Sequence, residues 1–313
     1  MYEQIYDCIV IGAGPAGLSA ALFLARYRRR VLTFHHNSPR NLYSHGVHGF
    51  LGHDGIEPRE FLARGRDEVT KYGGLVVEAC VTKVERRGDG NFRVHTSDVD
   101  KKTIEQSFDA RRILLATGLR DLTPDCPGFT DFYGVTVHHC PDCDGYEVTD
   151  KRVAVLSRGA EAAGFTLSLL TWTDKLTLLT NGDEGDITQE QRVKLARFNI
   201  PITNRRIRRL EGNKETKCIE RVCFEDDEIL RCDALFFNLG TKMSGNLHEM
   251  LGCELDEECG LVRVDDEQQT SVRGVYAAGD MTPNSQLAIV AAAEGAMAAI
   301  QIHKSLMPEE RRI

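Results

Sequence analysis

Residues 7–27 read DCIVIGAGPAGLSAALFLARY, and no other stretch limits the fold as tightly. Asp7 to Ile11 is a short apolar run suited to a strand buried on both faces. It leads directly into Gly12-Ala13-Gly14-Pro15-Ala16-Gly17, after which Leu18, Ala21, Leu22 and Ala25 recur at helical spacing. Strand, glycine-rich turn and helix together are the setting in which G-x-G-x-x-G acquires meaning. Gly12 permits the tight turn, Gly14 lets backbone approach a pyrophosphate, and Gly17 lets the helix pack close to the strand. The helix N-terminus, opened by Pro15 and Ala16, offers unpaired N–H groups to the phosphates. A second strand, Val31 to Phe34, follows. The acid expected at its end for a ribose is replaced by His35, which either bonds a ribose hydroxyl or is solvated.

Length and composition bound the rest. At 313 residues the chain exceeds one typical core, so two domains are expected. A net charge of −8 provides no global basic field for nucleic acid or an anionic membrane. The first residues lack the basic and apolar regions of a signal peptide, and no apolar run approaches the ~18 residues of a membrane span. Ten cysteines, scattered except for one close pair, fit a reducing compartment, and a cytoplasmic location is expected.

Two further stretches identify the nucleotide. Arg112 to Gly118 reads RILLATG, an apolar strand ending in a small-residue turn. Gly274 to Asp280 reads GVYAAGD and is followed by QLAIVAAAEGAMAAI, a small-residue helix able to pack against a flat ring. Asp280 is placed to accept a hydrogen bond from a polyol hydroxyl. With GAGPAG, ATG and GVYAAGD in this order, the chain resembles the two-dinucleotide-fold flavoprotein disulfide reductases. The resemblance implies FAD, held by Gly12, Gly14, Pro15, Ala16, Gly17, Ala116, Thr117, Gly118, Gly279 and Asp280. It adds His35, Arg40, Asn41, His48, Gln286, Leu287 and Ala288 as contacts. A homodimer is implied as well.

The motif order fixes a domain plan. An FAD domain over 1–120 and 245–313 is interrupted by an insert at 121–244, entered through the proline-bearing LRDLTPDCP and left through GTKMSG. Within the insert, RVAVLS, AEAAGFTLSLL and KLTLLT read as strand, helix and strand, a second βαβ unit. The expected class is α/β, with two Rossmann-like domains, the second inserted into the first.

Just before that unit stands VHHCPDCDGYE, residues 137–147. Structural zinc needs a second ligand pair some 12–20 residues on. Here the next cysteine is Cys218, so zinc is disfavoured and no metal is expected. A purely structural disulfide is disfavoured by a reducing compartment. A redox pair remains, working by thiolate attack and a mixed disulfide. Over nearly its full length the chain resembles the low-molecular-weight thioredoxin reductases, which carry CxxC-D-G at this place. The resemblance implies that Cys143 faces the flavin, that Cys140 exchanges with the partner, and that Asp144 moves the proton. It also implies a rotation of the insert between flavin and partner. His138 and His139 either tune the thiolate or face solvent.

The insert departs from those reductases where NADPH binds. The first glycine of its turn is Ser157, and the cationic triplet after its second strand is replaced by Thr180-Asn181-Gly182-Asp183-Glu184-Gly185-Asp186. Acids repel the 2′-phosphate, so NADPH is not expected. Residues 39–55, PRNLYSHGVHGFLGHDG, resemble a branch containing diflavin-linked and deeply rooted disulfide oxidoreductases and gliotoxin-type dithiol oxidases. That branch commonly lacks the NADPH signature. His45, His48 and His53 in this stretch are expected in the loop or near the flavin edge. The expected partner is a thioredoxin-like protein or a small dithiol or disulfide, with a ferredoxin-type protein as one candidate donor. The competing enzyme reading is a dithiol oxidase delivering electrons to oxygen. Tyr27, in the basic run RYRRR, reads either as a surface helix end or as a platform for a second flavin.

Overall fold

The computed structural model describes residues 5–98, 106–183, 185 and 187–311. The chain divides into two compact units. One comprises residues up to Arg40, Gly49–Arg120 and Met243 onwards; the other comprises Asp121–Lys242 together with Asn41–His48.

The first unit is built on β1 (Tyr6–Ile11), β2 (Val31–His35), β3 (Leu75–Glu78), β4 (Cys80–Arg86), β5 (Phe92–Ser97), β6 (Gln106–Leu115) and β17 (Val275–Ala277). Its sheet runs β3-β2-β1-β6-β5-β4, with β17 paired to β6. β1, β2, β3, β6 and β17 are parallel, and β5 pairs antiparallel with both β6 and β4. Successive residues of β1 serve opposite cores, as the two-residue period of a strand requires. Cys8 and Val10 join the core under α1 (Pro15–Arg26) and α8 (Ala288–Ser305). Ile9 and Ile11 join Phe92, Val262 and Leu247 of α7 (Leu247–Leu251) on the other face. A strand buried on both sides must be apolar throughout, which is why DCIVI reads as a continuous run. α2 (Pro58–Lys71) adds Leu62 and Val69 to the first core.

The small residues of α8 meet a helix. Ala291, Ala298, Ala299 and Ile302 enter the core shared with Ala16, Ala20 and Ala21 of α1. Gly295 is the closest point, since a Cβ there would lie 2.0 Å from Ala16 O. Small side chains on both helices let the backbones approach to this distance.

The chain enters the second unit along β7 (Leu119–Asp121) and leaves it along β16 (Thr241–Met243). After α3 (Phe129–Phe132), β8 (Val137–His138), β9 (Val153–Ser157), β10 (Leu176–Leu179), β11 (Ile202–Thr203) and β15 (Ala234–Asn238) form a parallel sheet in the order β11-β10-β9-β15-β8. α4 (Pro141–Asp144) follows β8, α5 (Ala162–Ser168) follows β9, and α6 (Gln189–Arg197) follows β10. α6 opens with a reciprocal capping box between Thr188 and Gln191. An antiparallel β12-β13-β14 ribbon (Ile207–Asn213, Cys218–Phe224, Ile229–Arg231) completes the unit. Asn41–His48 belongs to it through Tyr43, whose ring stands 5.5 Å from that of Tyr133, and through His45 N donating to Gly134 O. Among the described residues, no helix is long and apolar enough to cross a membrane.

Candidate functional site

Three turns leave the first sheet at one level. β1 pairs with β6 so that Ile11 faces Leu115, and β17 pairs with β6 so that Ala277 faces Leu115. The chain therefore emerges at Gly12, Ala116 and Ala278 side by side, at the carboxyl ends of parallel strands. β1 lies between β2 and β6, so this edge is the topological switch point where dinucleotides bind in open α/β sheets.

Close packing explains the small residues there. Gly12 has φ +112°, and a Cβ on it would lie 2.1 Å from Ala116 O. A Cβ on Gly17 would lie 1.8 Å from Gly12 O. Gly14 and Gly118 differ: a Cβ on either would meet nothing within 4 Å, so open space stands before both. α1 begins with Pro15 at its first position, has no side-chain cap and carries no acid in its first turn. Its free N–H groups can therefore take an anion. These features fit the pyrophosphate of FAD.

The Gly279-Asp280 turn is held from both sides. Arg40 Nη1 donates to Asp280 Oδ2 at 2.9 Å and to Gln286 Oε1 at 2.6 Å. On the other side, buried Glu294 of α8 accepts from Gly279 N at 2.6 Å, from Thr282 Oγ1 at 2.9 Å and from Asn284 Nδ2. Leu287 and Ala288 form the start of α8 beside this turn. Glu294 escaped the sequence reading; its only signal was a lone acid in an alanine-rich helix. His35 ends β2 in register with Glu78 of β3. Burial and then the Arg66 charge hold its imidazole below the usual range, which favours the neutral ring able to donate or accept. Asn41 and His48 fall in the second unit, where His48 Nε2 stands 3.7 Å from Glu147. His53 belongs to the first unit and packs edge-on against Phe61.

Tyr27 stacks on His303, with centroids 4.1 Å apart and planes 14° apart, so one face of its ring is covered by α8. Its basic neighbours are also engaged: Arg26 donates to Tyr72 Oη, Arg29 to His303 Nδ1, and Arg30 lies over the Tyr6 ring. The run RYRRR fastens the end of α1 to its surroundings.

In the second unit Cys140 and Cys143 form a disulfide with Cα atoms 5.3 Å apart. Cys140 is the extended N-cap residue of α4, Pro141 opens the helix, and Cys143 N donates back to Cys140 O at 3.2 Å. The helix makes a single turn, so both sulfurs stand at its start. Asp144 closes the turn and stands 3.4 Å from Nδ1 of buried His138. His139 Nδ1 is 3.8 Å from Asp121, which also accepts from the Tyr133 hydroxyl. Burial pushes the Cys126 thiol up to about 11 and that of Cys232 up to about 12, and raises those of Cys8 and Cys253. These thiols stay protonated near neutrality and are poor nucleophiles. Among the described residues no cluster of three His, Cys, Asp or Glu side chains could hold a metal ion.

Gly145 ends the redox turn against Trp172, the only tryptophan of the chain. A Cβ there would lie 2.6 Å from both Pro141 O and the indole ring. Gly145→Ala is expected to displace the turn and cost about 1–3 kcal/mol. Urea unfolding followed by Trp172 fluorescence measures the loss, and an unchanged midpoint would show that the site accepts the methyl group.

The turn after β9 differs in character from that after β1. Ser157 is buried and its Oγ donates to Asn238 O at 3.2 Å. Glu161 is the N-cap residue of α5, and its carboxylate accepts from Asn238 Nδ2 at 3.3 Å. Asp183 stands 4.0 Å from Arg158 and accepts from Gly185 N. A Cβ on Gly185 would lie 2.8 Å from Gly159 N, so the loop after β10 lies against this turn. Glu184 and Asp186, two of the acids noted in that loop, lie outside the described residues.

The pyridine nucleotide-disulphide oxidoreductase family model matches residues 6–295. A probable thioredoxin reductase of Arthroderma benhamiae is 29% identical across 98% of this chain and 82% of its own length. The thioredoxin reductase tcpT of Claviceps purpurea is 30% identical across 89% of this chain and 87% of its own. Among solved structures, a putative thioredoxin reductase TrxB of Bacillus anthracis superposes with a TM-score of 0.89 at 34% identity. It covers 97% of this chain and 99% of that one.

Proposed function

The chain belongs to the pyridine nucleotide-disulphide oxidoreductase family, and from that premise we propose an FAD-dependent thiol–disulfide oxidoreductase of thioredoxin reductase type that does not draw electrons from NADPH. Membership makes it a flavin-dependent enzyme of disulfide chemistry; the donor, the roles of individual residues and the partner are our reading. The observation that carries NADPH independence is the turn after β9. Glu161 places a carboxylate at the N-terminus of α5, where a pyrophosphate would need free N–H groups. Asp183 stands in the loop where a 2′-phosphate would need cations, and the Arg158 charge beside it is shared with that carboxylate. The loop after β10 also rests on the backbone of this turn at Gly159.

The flavin supplies two-electron chemistry. Gly12, Gly14, Gly17 and the start of α1 bind its pyrophosphate, while Ala116, Thr117, Gly118 and the Arg40–Asp280–Gln286 cluster line the remaining path. Cys143 is the sulfur that exchanges electrons with the flavin, Cys140 exchanges with the partner, and Asp144 holds or releases the proton. A thioredoxin-like protein or a small disulfide is the fitting partner, since a one-turn helix presents both sulfurs at a loop.

Anaerobic titration of the flavin absorbance tests the donor. Reduced ferredoxin or a dithiol is expected to bleach the band, with NADPH and NADH inert; rapid bleaching by NADPH overturns this reading. Bleaching by a dithiol with fast reoxidation in air would identify a dithiol oxidase. Cys143→Ser is expected to retain FAD while losing reduction by thiols. Loss of the flavin from that variant would make the pair structural.

A further inference from the structure

One buried ionisable side chain close to the disulfide in sequence has no part in the scheme above. His138 precedes Cys140 by two residues and is only 5% exposed. Its ring lies against Phe236, centroids 5.2 Å apart, and its Nδ1 faces Asp144 Oδ1 at 3.4 Å. An imidazole packed only for volume would have no reason to face a carboxylate. The neighbouring ionisable groups have other partners: His139 faces Asp121, Asp121 accepts from Tyr133, Glu147 faces His48, and Asp142 is exposed.

We infer that His138 is a positioning residue for the redox pair, orienting Asp144, which directly follows Cys143, and sharing with it the proton used when the disulfide opens. The inference rests on the redox reading of Cys140 and Cys143. A bare carboxylate next to a nascent thiolate repels it and raises the thiol pKa. A proton held between the imidazole and the carboxylate offsets that repulsion, and partial burial limits screening of the interaction. Opening the disulfide breaks the S–S bond, consumes two electrons and two protons, and gives two thiols. Both electrons and one proton would come from the reduced flavin that the turns around Gly12 and Asp280 would hold. The second proton passes from the His138–Asp144 pair to the sulfur left as thiolate, and solvent restores it through Asp144, the more exposed partner. Oxidation of a dithiol runs the same transfer in reverse.

The test uses the reduced protein and needs no turnover. Iodoacetamide alkylation of Cys140 and Cys143 is followed by mass spectrometry against pH; Cys126 and Cys232, with thiols at about 11 and about 12, remain a quiet background near neutrality. His138→Gln is expected to raise the alkylation midpoint by roughly one pH unit. Asp144→Asn should lower it, and adding His138→Gln to Asp144→Asn should change nothing further. An unchanged midpoint in His138→Gln, with only a lower unfolding temperature, overturns the inference. Should that variant not fold, the ring-nitrogen NMR shifts of His138 are compared in the wild type and in Asp144→Asn. A displaced Nδ1 resonance in the variant supports the pairing, and an unchanged one overturns it. If dithiothreitol fails to open the wild-type pair, the redox reading falls and takes this inference with it. An openable pair indifferent to His138 removes this inference alone.

Discussion

Gly295→Ala is expected to lower stability by about 3 kcal/mol, although alanine is the better helix former. In an unobstructed helix interior the same change gains up to about 1 kcal/mol, because glycine loses more backbone freedom on folding. Gly295 reverses the sign because of what stands opposite. The new Cβ would lie 2.0 Å from Ala16 O, with the Ala16 carbonyl carbon and Cα also within 3.0 Å. These are backbone atoms, so no rotamer change relieves the clash; α8 must move away from α1. The motion is transmitted to the flavin turns, because Ala16 is part of GAGPAG and a Cβ on Gly279 would lie 2.9 Å from Ala16 Cβ. FAD affinity is therefore expected to fall together with the unfolding temperature. Gly164→Ala is the control, since Gly164 sits in α5 with nothing within 4 Å of an added Cβ, and it should be neutral or slightly stabilising. Thermal unfolding of both variants decides the matter. Equal and small shifts would mean that α1 and α8 separate at little cost.

What could be read from the sequence divides along a physical line. Gly12 and Gly17 are legible because their constraint is local: one short turn must bring strand, loop and helix together, and only glycine tolerates the contacts. CPDC is legible for the same reason, as its disulfide closes within one helical turn. The departures at Ser157 and Asp183 are visible as residue types, but what those side chains bind is not. Ser157 donates to Asn238, eighty-one positions away, and only sheet pairing between β9 and β15 creates that contact. Arg40 with Asp280, Gly145 with Trp172 and His138 with Phe236 likewise join residues far apart in the chain. The run of alanine and glycine in α8 says that something approaches closely without saying what. The fold supplies the answer, a second helix.

Glu294→Ala is expected to weaken FAD binding by about 10- to 100-fold, the equivalent of roughly 1.4–2.7 kcal/mol. The carboxylate accepts from a backbone N–H at Gly279, from the Thr282 hydroxyl and from Asn284. Asn284 is exposed, so water can replace its bond, whereas Thr282 is fully buried. Truncation would strand the Gly279 N–H, while the Thr282 hydroxyl would turn to the Gly279 carbonyl 2.8 Å away, and an unsatisfied buried polar group costs about 1–3 kcal/mol. The loop can escape that cost by shifting towards water, which carries Asp280 away from Arg40 and Gln286. Glu294→Gln separates shape from charge. Its amide oxygen can still accept from Gly279 and Thr282, and Asn284 can turn its own oxygen towards the new NH2 group. The glutamine variant should therefore lose less affinity than the alanine variant. FAD titration of the apoprotein, followed by quenching of flavin fluorescence, measures both. If Glu294→Ala binds FAD as tightly as the wild type, the Gly279-Asp280 turn holds its shape without this carboxylate. Equal losses in the two variants would make the charge, and not the three-point acceptor, the feature that organises the turn.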